Sequence, residues 1–343
     1  MAAVSGSSNA NEYIKSLPSI TTFNVLPPEI IYTHILSRLD GVTLVSVASV
    51  SSFMYRLCIE EDLWHKICNT MWPSLLDPTA RRVISTFPGG YRSVYSDVFP
   101  FLHHFSPLPR RPSSPPSELI SAIDIYYKGN PILSRVKRTE TNKNWFLSSS
   151  LWMDVLEPDE FVPTPVKFVC KDEEWMNDLE ENLNLSWIVM DPNQKRAANV
   201  SSWRAVSVAR HWLTREVEVV YAAMMAGERQ TATEMVQCVV KVTCCGKVGA
   251  ELHVREVNLV MEDTEGRHVS GNEGMKILQR AMQDGKRKRV EFDGVGAKER
   301  FQKFSCLMKE RRESKHRREK ARDVVSTLLA FIALLLFCFL AGF

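Results

Sequence analysis

Three sets of side chains could do chemistry in this chain: clustered carboxylates, thiols, and tryptophans beside cations. General acid–base catalysis needs two carboxylates that converge, one holding a proton and one releasing it. Asp154, Glu157, Asp159 and Glu160, and the run from Asp172 to Trp175, are dense in carboxylate, but no spacing brings a pair together, and solvated acidic loops are expected there. Cys58, Cys68, Cys170, Cys238, Cys244, Cys245, Cys306 and Cys338 are scattered, mostly in apolar runs, with no CxxC pair. Zinc needs ligands at short paired spacings, so buried free thiols in a reducing compartment are expected, with no metal site. Gly294-Val295-Gly296 follows no convincing strand, and there is no nucleophile elbow, Walker loop or dinucleotide fingerprint. No catalytic residue and no cofactor are expected. Binding remains. Trp145, Trp152, Trp175, Trp187, Trp203 and Trp212 place six of the chain's eight tryptophans in its central part. Trp203 beside Arg204, and Trp212 after Arg210-His211, set rings next to cations, where cation–π pairing or sugar stacking is possible. Trp203, Arg204 and Trp212 are therefore candidate target contacts, although tryptophans more often fill cores or rims.

The elements that hold these residues follow from composition and periodicity. The chain of 343 residues is 45% apolar and 24% charged, which suits about two globular domains. A net charge of +3 gives no reason to expect a nucleic-acid partner. Residues 1–23 lack the basic start and apolar run of a secretory signal and read as a disordered leader on a cytosolic body. Residues 24–73 show helical spacing. Pro27 and Pro28 suit a helix start, with Glu29 beside the positive end of its dipole, and Ile30, Ile31, Ile35, Leu36 and Leu39 form one apolar stripe. Asp40-Gly41 stops that helix, Ser51-Ser52 breaks a second, and Asp62 is expected to cap a last one carrying Leu63, Trp64 and Ile67. A helical unit this small cannot bury so many apolar side chains alone, so some should face a partner.

The pattern Leu26-Pro27, Ile30, Ile35-Leu36, Leu39, Leu44, Val47, Val50-Ser51, Leu57 and Leu63-Trp64 resembles an F-box over about 45 residues. Met54, beside Phe53, stands where many F-boxes carry Trp, and keeps the apolar character. The resemblance implies docking onto a Skp-type adaptor, and through it onto a cullin and a RING subunit that recruits a ubiquitin-conjugating enzyme. Carried over, Leu26, Pro27, Ile30, Ile31 and Leu39 would form the adaptor face. The layout of an F-box followed by a Trp-rich β domain also resembles a plant group of F-box proteins and, more distantly, phloem-lectin-type F-box proteins.

Residues 74–99 read as a helical segment adjoining the F-box, and 100–117, with six prolines, as a linker. Residues 118–284 change to alternation. Leu119 to Tyr127 and a resumption at Ile132 flank the turn signal Lys128-Gly129-Asn130-Pro131, and Leu185 to Met190 is a further strand. Met235 to Cys245 alternates and returns through Gly246 to Gly249. In the returning strand Leu252 and Val254 share one parity while Val257, Leu259 and Met261 share the other. A β-bulge near Arg255-Glu256 would restore them to one face. Gly274 to Met282 reads as a short helix, and the domain as a β-rich, target-recognising sandwich. Lys286 to Arg289 could pass for a nuclear import signal, though such a run is more usually a solvated loop.

Residues 285–323 read as an exposed basic helix; Lys309 to Asp323 holds eight Lys or Arg against four Asp or Glu. Residues 324–343 carry no charge, and twenty residues at about 1.5 Å each span roughly 30 Å, one bilayer core. The expectation is a single C-terminal transmembrane helix with Val324, Leu328, Phe331, Leu335 and Phe339 facing lipid. It would be a tail anchor that keeps the body cytosolic, with the thin endoplasmic reticulum membrane favoured. The sequence thus predicts an α+β multidomain chain: a helical F-box, a central β sandwich and a membrane anchor. The expected function is a membrane-tethered substrate receptor of a cullin-RING ubiquitin ligase. The alternatives are a membrane scaffold, or a carbohydrate-binding protein, that engages the adaptor without promoting degradation.

Overall fold

The computed structural model describes residues 26–99, 101–104, 116–169, 173–227, 235–288 and 295–340. The leader, most of the proline-rich segment, Cys170, Cys338 (side chain), Gly294, the side chains of Lys286 to Arg289, and residues 341–343 lie outside the described residues. The chain divides into two compact units, Met1–Ile67 and Cys68–Phe343.

In the first unit, α1 (Pro28–Ile30) passes into a π turn (Ile31–Ile35) and a 3₁₀ turn (Leu36–Arg38) instead of the single regular helix that the apolar stripe suggests. The Thr33 hydroxyl donates to the Glu29 carbonyl at 2.6 Å, and Ser37 repeats the pattern on Thr33 at 2.5 Å. Such back-bonding competes for carbonyls with the α-helical ladder and loosens it. Asp40 stops this stretch and starts α2 (Gly41–Ala48) by accepting from the Thr43 N–H at 2.7 Å. Ser51 does the same for α3 (Ser52–Cys58), accepting from the Met54 N–H at 3.1 Å. Because α4 (Glu61–Met71) begins one residue before Asp62, that carboxylate lies in the first turn, near the positive helix end, and is not the cap. Ile31, Leu36, Leu44, Met54, Cys58, Leu63 and Trp64 are buried, and the Trp64 indole donates to the Cys58 carbonyl at 2.7 Å.

The second unit continues through a 3₁₀ turn (Pro73–Leu76), α5 (Pro78–Ile84), α6 (Gly90–Val98) and β1 (Phe101–His104). A four-stranded antiparallel sheet follows, built from β2 (Glu118–Tyr127), β3 (Asn130–Glu140), β6 (Leu183–Asp191) and β7 (Arg196–Asn199) in the order β3-β2-β6-β7. The β2–β3 turn is Lys128-Gly129, both at positive φ (50° and 78°), the geometry that suits the twist of a two-residue hairpin. A second antiparallel sheet contains β4 (Trp152–Asp154), β5 (Val162–Lys167), β8 (Ser207–Arg210), β9 (Val217–Ala226), β10 (Met235–Cys245) and β11 (Glu251–Asp263). Its order is β4-β11-β10-β9-β8, with β5 also on β11. Ile123, Leu185 and Trp187 from the first sheet and Val219, Val240 and Leu259 from the second lie in one apolar core.

The phase slip in β11 has its predicted cause. Thr243 pairs with Glu256 and Cys244 with Val254, which leaves Arg255 as the extra residue of a bulge. Leu252 and Val254 on one side of it, and Val257, Leu259 and Met261 on the other, all reach the same core. Helices absent from the sequence reading also appear: α7 (Asn144–Ser148) and α8 (Glu173–Asn182). The acidic DEEW run is thus partly helix, not loop, since Trp175 and Leu179, one turn apart, are both buried. The helix expected near Gly274 is α9 (Gly271–Asp284), capped by Ser270; β12 (Lys286–Lys288) pairs with β1.

The last helix, α10 (Val295–Leu340), overturns two expectations. Its first turns are not an exposed basic rod, because Ala297 and Phe304 are buried against Val206, Ala222 and Met224 on the outer side of the second sheet. Nor is it a transmembrane helix: among the described residues no helix is long and apolar enough to cross a membrane. The charged stretch through Asp323 and the apolar one belong to a single helix. Val324, Leu328 and Phe331 are exposed, while the side chains of Leu335 and Phe339 lie outside the described residues. The expected tail anchor, the lipid partner and the endoplasmic reticulum location are corrected accordingly.

Phe304 has no exposed surface. Truncation to alanine should cost about 3–5 kcal/mol, the range for a buried Phe. Denaturant melts of the full chain should show it, with earlier proteolysis in α10; an unchanged midpoint would mean that the helix does not hold the sheet.

Candidate functional site

The candidate residues lie on two surfaces, one in each unit. In the first, Leu26 is 39% and Ile30 42% exposed, flanked by exposed Pro27. The Pro27 carbonyl accepts from the N–H groups of Ile30 (3.0 Å) and Ile31 (3.3 Å), so the proline both opens the helix and fixes its neighbours. Leu39 is half-buried. Ile31 is 0% exposed and belongs to the core, which removes it from any contact face; the apolar stripe is wide enough to serve both core and surface, and spacing alone does not separate them. Val45, Val50, Tyr55 and Ile59 add further exposed apolar surface to this unit. These exposed apolar side chains make this face the candidate interaction surface of the unit.

In the second unit, the structure does not bring the three candidate target contacts together. Trp203 precedes β8 and is half-buried, its ring 5.3 Å from that of Tyr126 and its carbonyl accepting from the Leu185 N–H at 3.0 Å. Arg204 is half-buried beside it, in a bridge to Asn184. Trp212 follows β8 at the opposite end, 84% exposed at the tip of a hairpin closed by the His211 N–H on the Glu216 carbonyl (2.7 Å). Trp203 and Arg204 are placed as packing residues; Trp212 is accessible but separate.

A larger feature escaped the sequence reading. β11 pairs with β4 at residues 258–260 and with β5 at 254 and before; between them Val155 still donates to the Val257 carbonyl (2.9 Å) and Leu156 is buried, and residues 157–161 pair with no strand among the described residues. The gap falls at the Arg255 bulge and opens a groove of about 860 Å³ lined by Trp145, Trp152, Phe161, Asp154, Asp159 and Arg255. Bulges commonly re-aim side chains beside functional sites. Trp145, Trp152 and Phe161 are each at least half exposed. The Trp152 indole donates to Asp154 at 2.7 Å, which fixes its ring. The groove's cations are matched: Lys137 with Glu157 (2.6 Å), Arg138 with Glu118 (2.5 Å), Lys143 with Glu140 (2.7 Å), and Arg255 with Glu216 (2.6 Å). The available signals were the phase slip at Arg255 and the aromatic residues flanking the acidic run from Asp154 to Glu160, Trp145 and Trp152 before it and Phe161 after it, but no local pattern joins segments a hundred residues apart.

Burial pushes the Cys244 thiol up to about 12 and lifts Cys238 as well, so both stay protonated and unreactive near neutrality. Asp124, in β2, sits under the helical segment that precedes the sheets. It accepts from the Ser74 N–H (2.9 Å) and hydroxyl (2.5 Å), and burial outweighs these bonds to raise its carboxyl to about 6. Asp97 of α6 makes a second tie, to the Arg196 guanidinium and the Ala197 N–H of β7, each at 3.0 Å.

Residues 23–70 match the F-box-like family. The chain is similar to three Arabidopsis thaliana proteins along nearly its whole length. It is 41% identical to the F-box protein At2g27310 (90% of this chain, 93% of the relative) and 40% identical to the F-box protein At3g44326 (93% and 90%). It is also 39% identical to the probable F-box protein At2g36090 (96% and 98%). No solved structure matches it. With the exposed apolar face at Leu26 and Ile30 on the matched segment, and likeness that continues through both units, the chain belongs to the F-box protein family.

Proposed function

We propose that this F-box protein is the substrate-recognition subunit of an SCF-type cullin-RING ubiquitin ligase. The first unit holds a Skp-type adaptor through Leu26, Pro27 and Ile30, with Leu39 at the margin, and the second unit selects the target. The adaptor in turn brings the cullin and the RING subunit with its charged ubiquitin carrier. The chain performs no bond chemistry; it raises the effective concentration of target lysines near the carrier, which converts an encounter into a nearly intramolecular event. The observation that carries this reading is the exposed apolar face on the very segment that matches the F-box-like family. The groove at the Arg255 bulge supports the second half, since it presents the exposed rings of Trp145, Trp152 and Phe161.

Calorimetric titration of the full chain with a purified Skp-type adaptor tests the first half. Saturable one-to-one binding with a dissociation constant of about 1 μM or tighter is expected from burial of such a face. Absence of binding by a folded chain would refute it.

A further inference from the structure

We infer that the groove at the Arg255 bulge binds a lysine- or arginine-bearing segment of a protein partner. The inference rests on the receptor reading above and adds the chemistry of what is selected. Charge complementarity carries it. Lys137, Arg138, Lys143 and Arg255 already have carboxylate partners within 3 Å, so each cation lining the groove is already paired. Asp154 and Asp159, in contrast, have no cation partner among the described residues, and both line the groove. Beside them stand the exposed rings of Trp145, Trp152 and Phe161.

A lysine or arginine side chain matches both features at once. Its methylene stem lies on an aromatic face, its charged head gains from the ring quadrupole, and a carboxylate receives the head's N–H groups. The hydrogen bond from the Trp152 indole to Asp154 holds ring and carboxylate in register before any ligand arrives, which lowers the ordering cost of binding. Asp159 lies in the left-handed region (φ 65°), a conformation that Asp and Asn tolerate better than other residues. Asparagine at either site therefore removes charge with little change in shape.

The test uses the full chain and two labelled probes, a short peptide alternating threonine and lysine and its counterpart alternating threonine and glutamate, with a chitin oligosaccharide as a neutral third probe. Fluorescence anisotropy should show the lysine peptide bound about tenfold more tightly than the glutamate peptide. The Asp154→Asn/Asp159→Asn double variant should lose about tenfold of that affinity, and Trp152→Ala a similar factor. Raised salt should weaken binding in the parent more than in the double variant. Equal binding of both peptides, tighter binding of the glutamate peptide, preference for the oligosaccharide, or unchanged affinity in both variants would overturn the inference. Adaptor binding is measured on the same samples. A chain that binds adaptor but not the lysine peptide contradicts the groove chemistry alone, whereas a folded chain that binds no adaptor contradicts the receptor reading.

Discussion

Replacing Leu26 and Ile30 together with alanine should lower adaptor affinity about ten- to fiftyfold without unfolding the chain. Fully burying an exposed Leu or Ile gains about 1.5–3 kcal/mol. Both side chains are about two-fifths exposed, so roughly 0.6–1.2 kcal/mol remains to be gained from each. Together that is roughly 1.2–2.4 kcal/mol, or about ten- to fiftyfold in affinity. Pro27 is left in place because its ring and carbonyl set the entry to the helix. Ile31→Ala is the informative control. Its side chain has no exposure, so the loss should appear as about 2–5 kcal/mol of stability, not as a selective loss of binding. Equal adaptor affinity in the parent and the Leu26/Ile30 variant would remove these residues from the interface.

The second large effect concerns Asp124. Its carboxyl sits at about 6 in the folded chain against an ordinary 3.8, so the folded state holds the proton more tightly than the unfolded state. Protonation therefore favours folding. The gain is complete below the unfolded value and is lost as pH rises through 6, and the full span is about 3 kcal/mol. Between pH 7.5 and 5 it should amount to roughly 1.4 kcal/mol. Asp124→Asn should abolish this contribution. The amide oxygen can accept from the Ser74 N–H while the amide N–H₂ donates to the Ser74 hydroxyl, so the variant should be more stable than the parent at pH 7.5 by roughly 1–3 kcal/mol. Urea melts of both proteins at the two pH values give the comparison. A gap that fails to narrow at pH 5 would show that Asp124 does not titrate as its burial requires.

Local signals led to local results. Asp40 and Ser51, legible as helix breaks, also cap the helices that follow, and the Lys128-Gly129 turn and the Arg255 bulge are written in parity and turn chemistry within one hairpin, although Asp62 falls one residue inside the helix it was expected to cap. The features that failed are those set by tertiary contact. Ile31 and Ile30 are adjacent and chemically identical, and only packing decides that one is core and the other surface. Trp203 was picked out by its neighbour Arg204 but is held by Tyr126, far back in the chain. Asp124 looks like any polar residue within a strand until Ser74, fifty positions earlier, covers it. The C-terminal stretch illustrates the reverse error, since hydropathy described Val324 onward in isolation while the helix that holds it is continuous from Val295.

The central claim is that the chain selects a protein for ubiquitination, and a comparison of cells expressing the full chain, the Leu26/Ile30 alanine variant and the Trp152→Ala variant tests it most directly. Quantitative proteomics of total and co-purified protein is the readout. The account predicts at least one protein that co-purifies with the adaptor-face variant more than with the parent, accumulates in those cells, and is lost from the Trp152→Ala capture. Adaptor captured normally by the parent, with no protein changing in abundance between parent and adaptor-face variant, would contradict it and leave a scaffold in place of a receptor.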